Sequence, residues 1–150
     1  MTEALMGKDV RLENNDLKFS NNQDFSIING YDNLKQSMVN RLKTIKGEYY
    51  NEFYGSELNK CFSLPINSSL KNQIIGYVIE ALNQEPRIRK NDKISVDFVQ
   101  EENVNYAIID ITVTPIDTDV SLNLIYPLFI AWKYDIWSRN IWRFSNRNED

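Results

Sequence analysis

A chain of 150 residues, 42% of them apolar, is long enough to bury one sizeable core without disulfides or metals, which predicts a single globular unit. Seventeen cations against 21 anions give a net charge of −4, so the total charge exerts no pull toward nucleic acid or anionic lipid. The lack of histidine removes the commonest general base, the commonest metal ligand and every Ser-His or Cys-His nucleophile pair, and a lone Cys61 excludes an internal disulfide.

From Met1 to about Asn29 the chain is polar and asparagine-rich, with short alternating runs at Val10-Arg11-Leu12, Leu17-Lys18-Phe19 and Phe25-Ser26-Ile27. Asn14-Asn15-Asp16 suits a turn between the first two, so residues 1–28 are predicted to form a hairpin or arm. Met1 to Arg11 lacks the apolar centre of a signal peptide and no run nears the roughly 18–20 apolar residues of a membrane span, which suggests a chain made and kept in a reducing cytosol. The first strong periodicity is Leu34, Met38, Leu42 and Ile45, one face of a helix, with Asp32 as its N-cap and Gly47 just past its end. The basic residues of that helix read as its solvated face.

Between Glu48 and Pro65 lie Tyr49, Tyr50, Phe53, Tyr54 and Gly55, a loop whose rings are expected to pack over the core edge. A second helix is predicted from about Ser69 to Asn83, since Leu70, Ile74, Val78 and Leu82 recur every four residues and Ile75 and Ile79 widen the stripe. Three strand signals follow: alternation at Ile94, Val96 and Phe98; β-branched residues from Tyr106 to Val113; and renewed alternation from Leu122 to Tyr126, before Pro127. Helices first and strands afterwards predict an α+β fold, a small antiparallel or mixed sheet of about four strands packed with two main helices. Beyond Pro127, Ile130, Tyr134, Trp137, Ile141 and Phe144 recur at four, three, four and three, which predicts a helical extension over residues 128–150, while the aromatic content, with Trp132 and Trp142 off that seam, leaves a strand open.

Glu85-Pro86-Arg87 has a local reading of its own. Proline disfavours helix at the residue before it, so Glu85 should leave the second helix extended and project on the same side as Arg87. A carboxylate at a helix C-terminus opposes the dipole and would gain from Arg87, Arg89 or a partner's arginine.

The order of these features resembles the GPW-like baseplate wedge proteins of contractile phage tails. The elements that carry the resemblance are a helix ending at Gly47-Glu48, Tyr54-Gly55 with Leu58 soon after, and a second helix running into Glu85-Pro86-Arg87-Ile88 and a strand meander. Type VI secretion sheath-initiator subunits are similar. The resemblance spans residues 29–127. It implies a scaffold without cofactor, metal or reaction, which joins the core-bundle subunits of the baseplate to the tail sheath subunit of the first ring. It further implies that Gly47, Glu48, Tyr54, Gly55, Glu85, Pro86 and Arg87 contribute to protein interfaces. The location it implies is a tail baseplate assembled in the host cytoplasm, or a cytoplasmic machine in a secretion system.

Other chemistries are weaker on the residues. A lysozyme-like hydrolase would need two carboxylates at a fixed separation, one with a raised pKa, drawn from Glu48, Glu52, Glu57, Glu80 and Glu85. A nucleic-acid site would rest on Arg87, Arg89, Lys90 and Lys93, which lack interleaved aromatics. Asp117-Thr118-Asp119 offers too few oxygen ligands for a cation and reads as a polar turn.

Overall fold

Alternation of small β-branched residues along one strand organises the whole molecule, seen here in a computed structural model that describes residues 6–14 and 16–132. That strand, β6 (Val104–Pro115), lies between β5 (Ile88–Gln100) and β7 (Leu122–Trp132), antiparallel to both. Its odd-numbered residues Ala107, Ile109, Ile111 and Val113 are fully buried beside Val96 of β5 and Tyr126 of β7. The isoleucines and Val113 each contribute about 1.5–3 kcal/mol by leaving water, and Ala107 less.

Two helices cover that face. α1 (Gly30–Lys43) buries Leu34, Met38 and Leu42, and α2 (Ser68–Leu82) buries Leu70, Ile74, Val78, Ala81 and Leu82. A 3₁₀ turn, Leu58–Cys61, adds Leu58 and the free Cys61 to the same core. The N-cap of α2 is Asn67, whose Oδ1 accepts a hydrogen bond from Leu70 N at 2.8 Å. In α1 the cap position falls on Asn29, three residues before the expected Asp32. Asp32 sits instead in the first turn, where its charge favours the positive end of the helix dipole. The helix stops at Thr44, so Lys46 and Gly47 lie in the following turn.

The N-terminal arm is a chain of short antiparallel pairs. β1 (Lys8–Val10) pairs with β4 (Ile27–Asn29), β2 (Leu12–Glu13) with β3 (Asp16–Leu17), and Phe19 bridges Phe25. Side chains of α1 hold the arm down. The Gln36 amide donates to Val10 O and accepts from Leu12 N, both at 2.9 Å, in the manner of a neighbouring strand. Asn33 Nδ2 donates to Met6 O at 2.8 Å.

Two expectations fail in physical detail. β7 runs through Pro127 to Trp132, so Leu128 to Trp132 are strand and the predicted helix does not begin there. Pro127 is tolerated because β7 is the edge strand among the described residues and needs no inward N–H at that position. Ile130, read as the first residue of a helical seam, is the extra residue of a bulge between Phe129 and Ala131 and is fully buried in the core. The rest of the predicted extension, 133–150, lies outside the described residues. Likewise the rings of the 48–54 turn do not cover the core: Tyr49, Tyr50 and Phe53 are 57%, 98% and 69% exposed.

Candidate interaction site

The end of α2 turns directly into β5 through Glu85-Pro86-Arg87, and a bond from Ile88 N to Glu85 O at 3.2 Å closes that turn. The backbone is therefore a turn with Pro86 at its second position, not the extended run expected from the sequence. The two charged side chains still meet. Arg87 Nε donates to Glu85 Oε1 at 2.7 Å and Nη2 to Oε2 at 3.0 Å, a bidentate fork. Its remaining donors reach Met6 O at 2.9 Å and Ser37 Oγ at 2.7 Å. One guanidinium thus ties together the arm, α1 and the end of α2.

Glu85 is 3% exposed and has a second cation, Arg41 of α1, at 3.5 Å. Burial works to raise its pKa, but the hydrogen bonds and charge of Arg87, with Arg41 beyond, outweigh it and hold the carboxyl below its ordinary range. Arg41 is 11% exposed and lies 4.6 Å from the Tyr54 ring centroid, so it is not on a solvated face. Sequence reasoning missed Arg41 and Ser37. The available signal was position: Arg41 adjoins Leu42 and sits three residues after Met38, on the border of the buried stripe.

Tyr54 leads into Gly55, whose backbone has φ +110°. A Cβ at Gly55 would lie 2.5 Å from Thr44 O, because Ser56 N bonds that same carbonyl and Lys46 N bonds Ser56 O. Gly55→Ala is therefore expected to destabilise the chain by roughly 2–4 kcal/mol, combining backbone strain with a clash against backbone that cannot rotate away. Chemical denaturation measures it, and a midpoint equal to wild type would show that the close approach is unimportant.

The remaining interface candidates are placed apart from the fork. Gly47 and Glu48 are exposed in the turn after α1, and Pro86 is exposed beside the buried Glu85. Arg89 belongs elsewhere, bonding Asp119 at 2.7 Å and Thr118 O at 3.0 Å. Asp117 accepts from Tyr31 OH at 3.2 Å, so the Asp117-Thr118-Asp119 turn serves as a latch onto α1 and β5. With Arg87 turned inward and Arg89 paired, the basic cluster does not form one patch. Among the described residues no helix is long and apolar enough to cross a membrane, and no group of acidic or sulfur ligands converges as a metal site.

Comparison with known proteins decides what this arrangement is. The family model for contractile injection system sheath initiators matches residues 8–118. The chain belongs to the sheath initiator family. It is a structural component of the baseplate of a contractile injection system and works in association with sheath and baseplate proteins. The match covers the arm from β1 onward, both helices, the fork and two of the three long strands. A solved structure of a Geobacter sulfurreducens protein named as a tail lysozyme has 26% sequence identity and a TM-score of 0.58. It covers 67% of this chain and 90% of its own. No curated protein matches.

Proposed function

We propose that this sheath initiator starts the sheath by lending the outer edge of β5 to a strand of the first sheath subunit, while its helical side is held by the baseplate's core-bundle subunits. The observation that carries the reading is the difference between the two sheet edges. On β7, Pro127 has no N–H to offer and Ser63 N already bonds Ile130 O at 2.8 Å. On β5, residues Ile94–Gln100 run in unbroken register with β6 and face no other described strand. Pro127 opposite Ile108, and Glu101 N bonded to Val104 O, fix the alternation of the ladder. Ile94, Val96, Phe98 and Gln100 accordingly direct their backbone groups outward, a template for strand addition. Bulges and charges at Arg89 and Lys93 blunt the other end of β5 and would limit pairing to this half.

The same reading makes the chain a scaffold and not a hydrolase. Glu57 and Glu85 are both shifted below the ordinary carboxylate range, Glu57 by Lys60 and Glu85 by Arg87 and Arg41, whereas a general acid needs a raised value. Glu80 is occupied by Lys46 at 2.6 Å. The groove of ≈ 500 Å³ between the arm and α1 is lined by Leu12, Ile28, Gln36 and Val39 among others, and none of its lining residues is a carboxylate. Assembly then takes place in the cytoplasm of the producing cell. Mixing the chain with purified sheath subunit should slow amide exchange across Ile94–Gln100, measured by mass spectrometry. Protection confined to α1 and α2 would refute the edge reading.

A further inference from the structure

Three aromatic rings exposed within five residues are costly to leave in water and call for a reason. Tyr49, Tyr50 and Phe53 stand on a turn that the backbone holds firmly: Glu48 N bonds Ile45 O, Tyr54 N bonds Asn51 O, and Phe53 N bonds the Asn51 side chain. Tyr49 also packs on Tyr54 with ring centroids 5.2 Å apart. The backbone that carries the rings is thus held in place and would lose little freedom on docking.

Charge selects the partner. Nearby cations are already committed, Lys46 to Glu80, Lys60 to Glu57 and Arg41 to Glu85. Glu48 and Glu52, which flank the rings, form no ion pair among the described residues. What remains on the turn is an uncompensated acidic and aromatic surface. A guanidinium stacked on a tyrosine beside a carboxylate is also the combination the chain uses internally, at Arg41, Tyr54 and Glu85.

We infer that the turn of residues 47–54 is a docking pad for an arginine- or lysine-bearing, partly apolar segment of a neighbouring baseplate protein. Its cations stack on Tyr50 and Phe53 and pair with Glu48 and Glu52. This rests on the baseplate reading above and adds the chemistry of the partner. Aromatic anchors would supply the affinity, and the two carboxylates the selection against acidic segments.

The test uses the full chain in native particles, with a photo-cross-linking benzoylphenylalanine in place of Tyr50 and, separately, the double variant Glu48→Lys, Glu52→Lys. The cross-link is expected to fall on a partner segment rich in arginine or lysine. The double variant should keep its melting temperature while its incorporation into baseplates falls about tenfold or more. Reversing the cross-linked cations to glutamate should restore that incorporation. A cross-link to an acidic or uncharged segment, or to residues 133–150 of the same chain, overturns the inference, as does normal incorporation of the double variant. If the unmodified chain itself never enters baseplates, the baseplate reading falls and this inference with it. Incorporation that ignores the turn removes only the pad.

Discussion

Glu85→Ala is expected to destabilise the isolated chain by about 3–5 kcal/mol, because it leaves Arg87 and Arg41 facing each other, largely buried, without their shared counter-charge. At this chain length that corresponds to a fall of roughly 6–20 °C in melting temperature. Arg87→Lys should recover little of the loss seen with Arg87→Ala. A single ammonium cannot span both Glu85 oxygens while also reaching Met6 O and Ser37 Oγ. The pH dependence follows from the sign of the shift. The folded-state pKa of Glu85 lies below its unfolded value near 4.5, so its contribution is complete above that pH and is lost as pH falls through the lower folded value. The gap between wild type and Glu85→Gln should therefore be widest near neutrality and narrow as pH falls below the unfolded value and through the lower folded one. Melts of all four variants within about 2 °C of wild type would mean that the fork is not a fold element.

Truncation after Pro127 should be more damaging still. It deletes Leu128 to Trp132, strips half the length of β7 from β6, and removes the fully buried Ile130 together with its bond from Ser63 N. Emptying the Ile130 site alone would cost about 2–5 kcal/mol, against a total stability of about 5–15 kcal/mol for a domain of this kind. No cooperative melt is expected from the truncated chain. Stopping instead after Trp132 keeps the strand, so comparing the two proteins separates the work of β7 from that of residues 133–150. A cooperative, wild-type-like melt of the shorter chain would contradict the packing described for Ile130.

These two sites also show what the sequence revealed and what it concealed. Leu34, Met38 and Leu42, and Leu70, Ile74, Val78 and Leu82, advertise their helices by spacing, and the odd-numbered residues of β6 advertise a half-buried strand. Ile130 continues the even-numbered alternation of Leu122, Leu124, Tyr126 and Leu128, but it also stands four residues before Tyr134, where a helical period fits equally well. Tyr134, Trp137, Ile141 and Phe144 then complete an apparent helical stripe with a residue that belongs to the sheet. The fork was half legible. Its pairing follows from Pro86, but its burial depends on Arg41 and Ser37 from another helix and on Met6 O from the arm, contacts that no local pattern encodes. The exposed rings of the 49–53 turn were misjudged for the opposite reason. Aromatic residues do favour cores, and only the tertiary position of the turn shows that no core lies beneath Tyr50.

The fork itself is turned away from any partner. Glu85 and Arg87 spend their hydrogen bonds inside the chain, so a partner would meet their consequence, a fixed junction between α1, α2 and β5, together with the exposed Pro86 and the turn beside it.

Sheath formation on baseplates that lack this chain tests the central claim most directly. Baseplates made without it, then supplied with purified chain and sheath subunit, can be scored by electron microscopy for tails whose sheath begins at the plate. Bare tails without the chain, and sheathed tails once it is restored, are the expected result. Normal sheaths in its absence would contradict the scaffold role, and restored sheaths in which Ile94–Gln100 stays open to solvent would contradict the edge pairing.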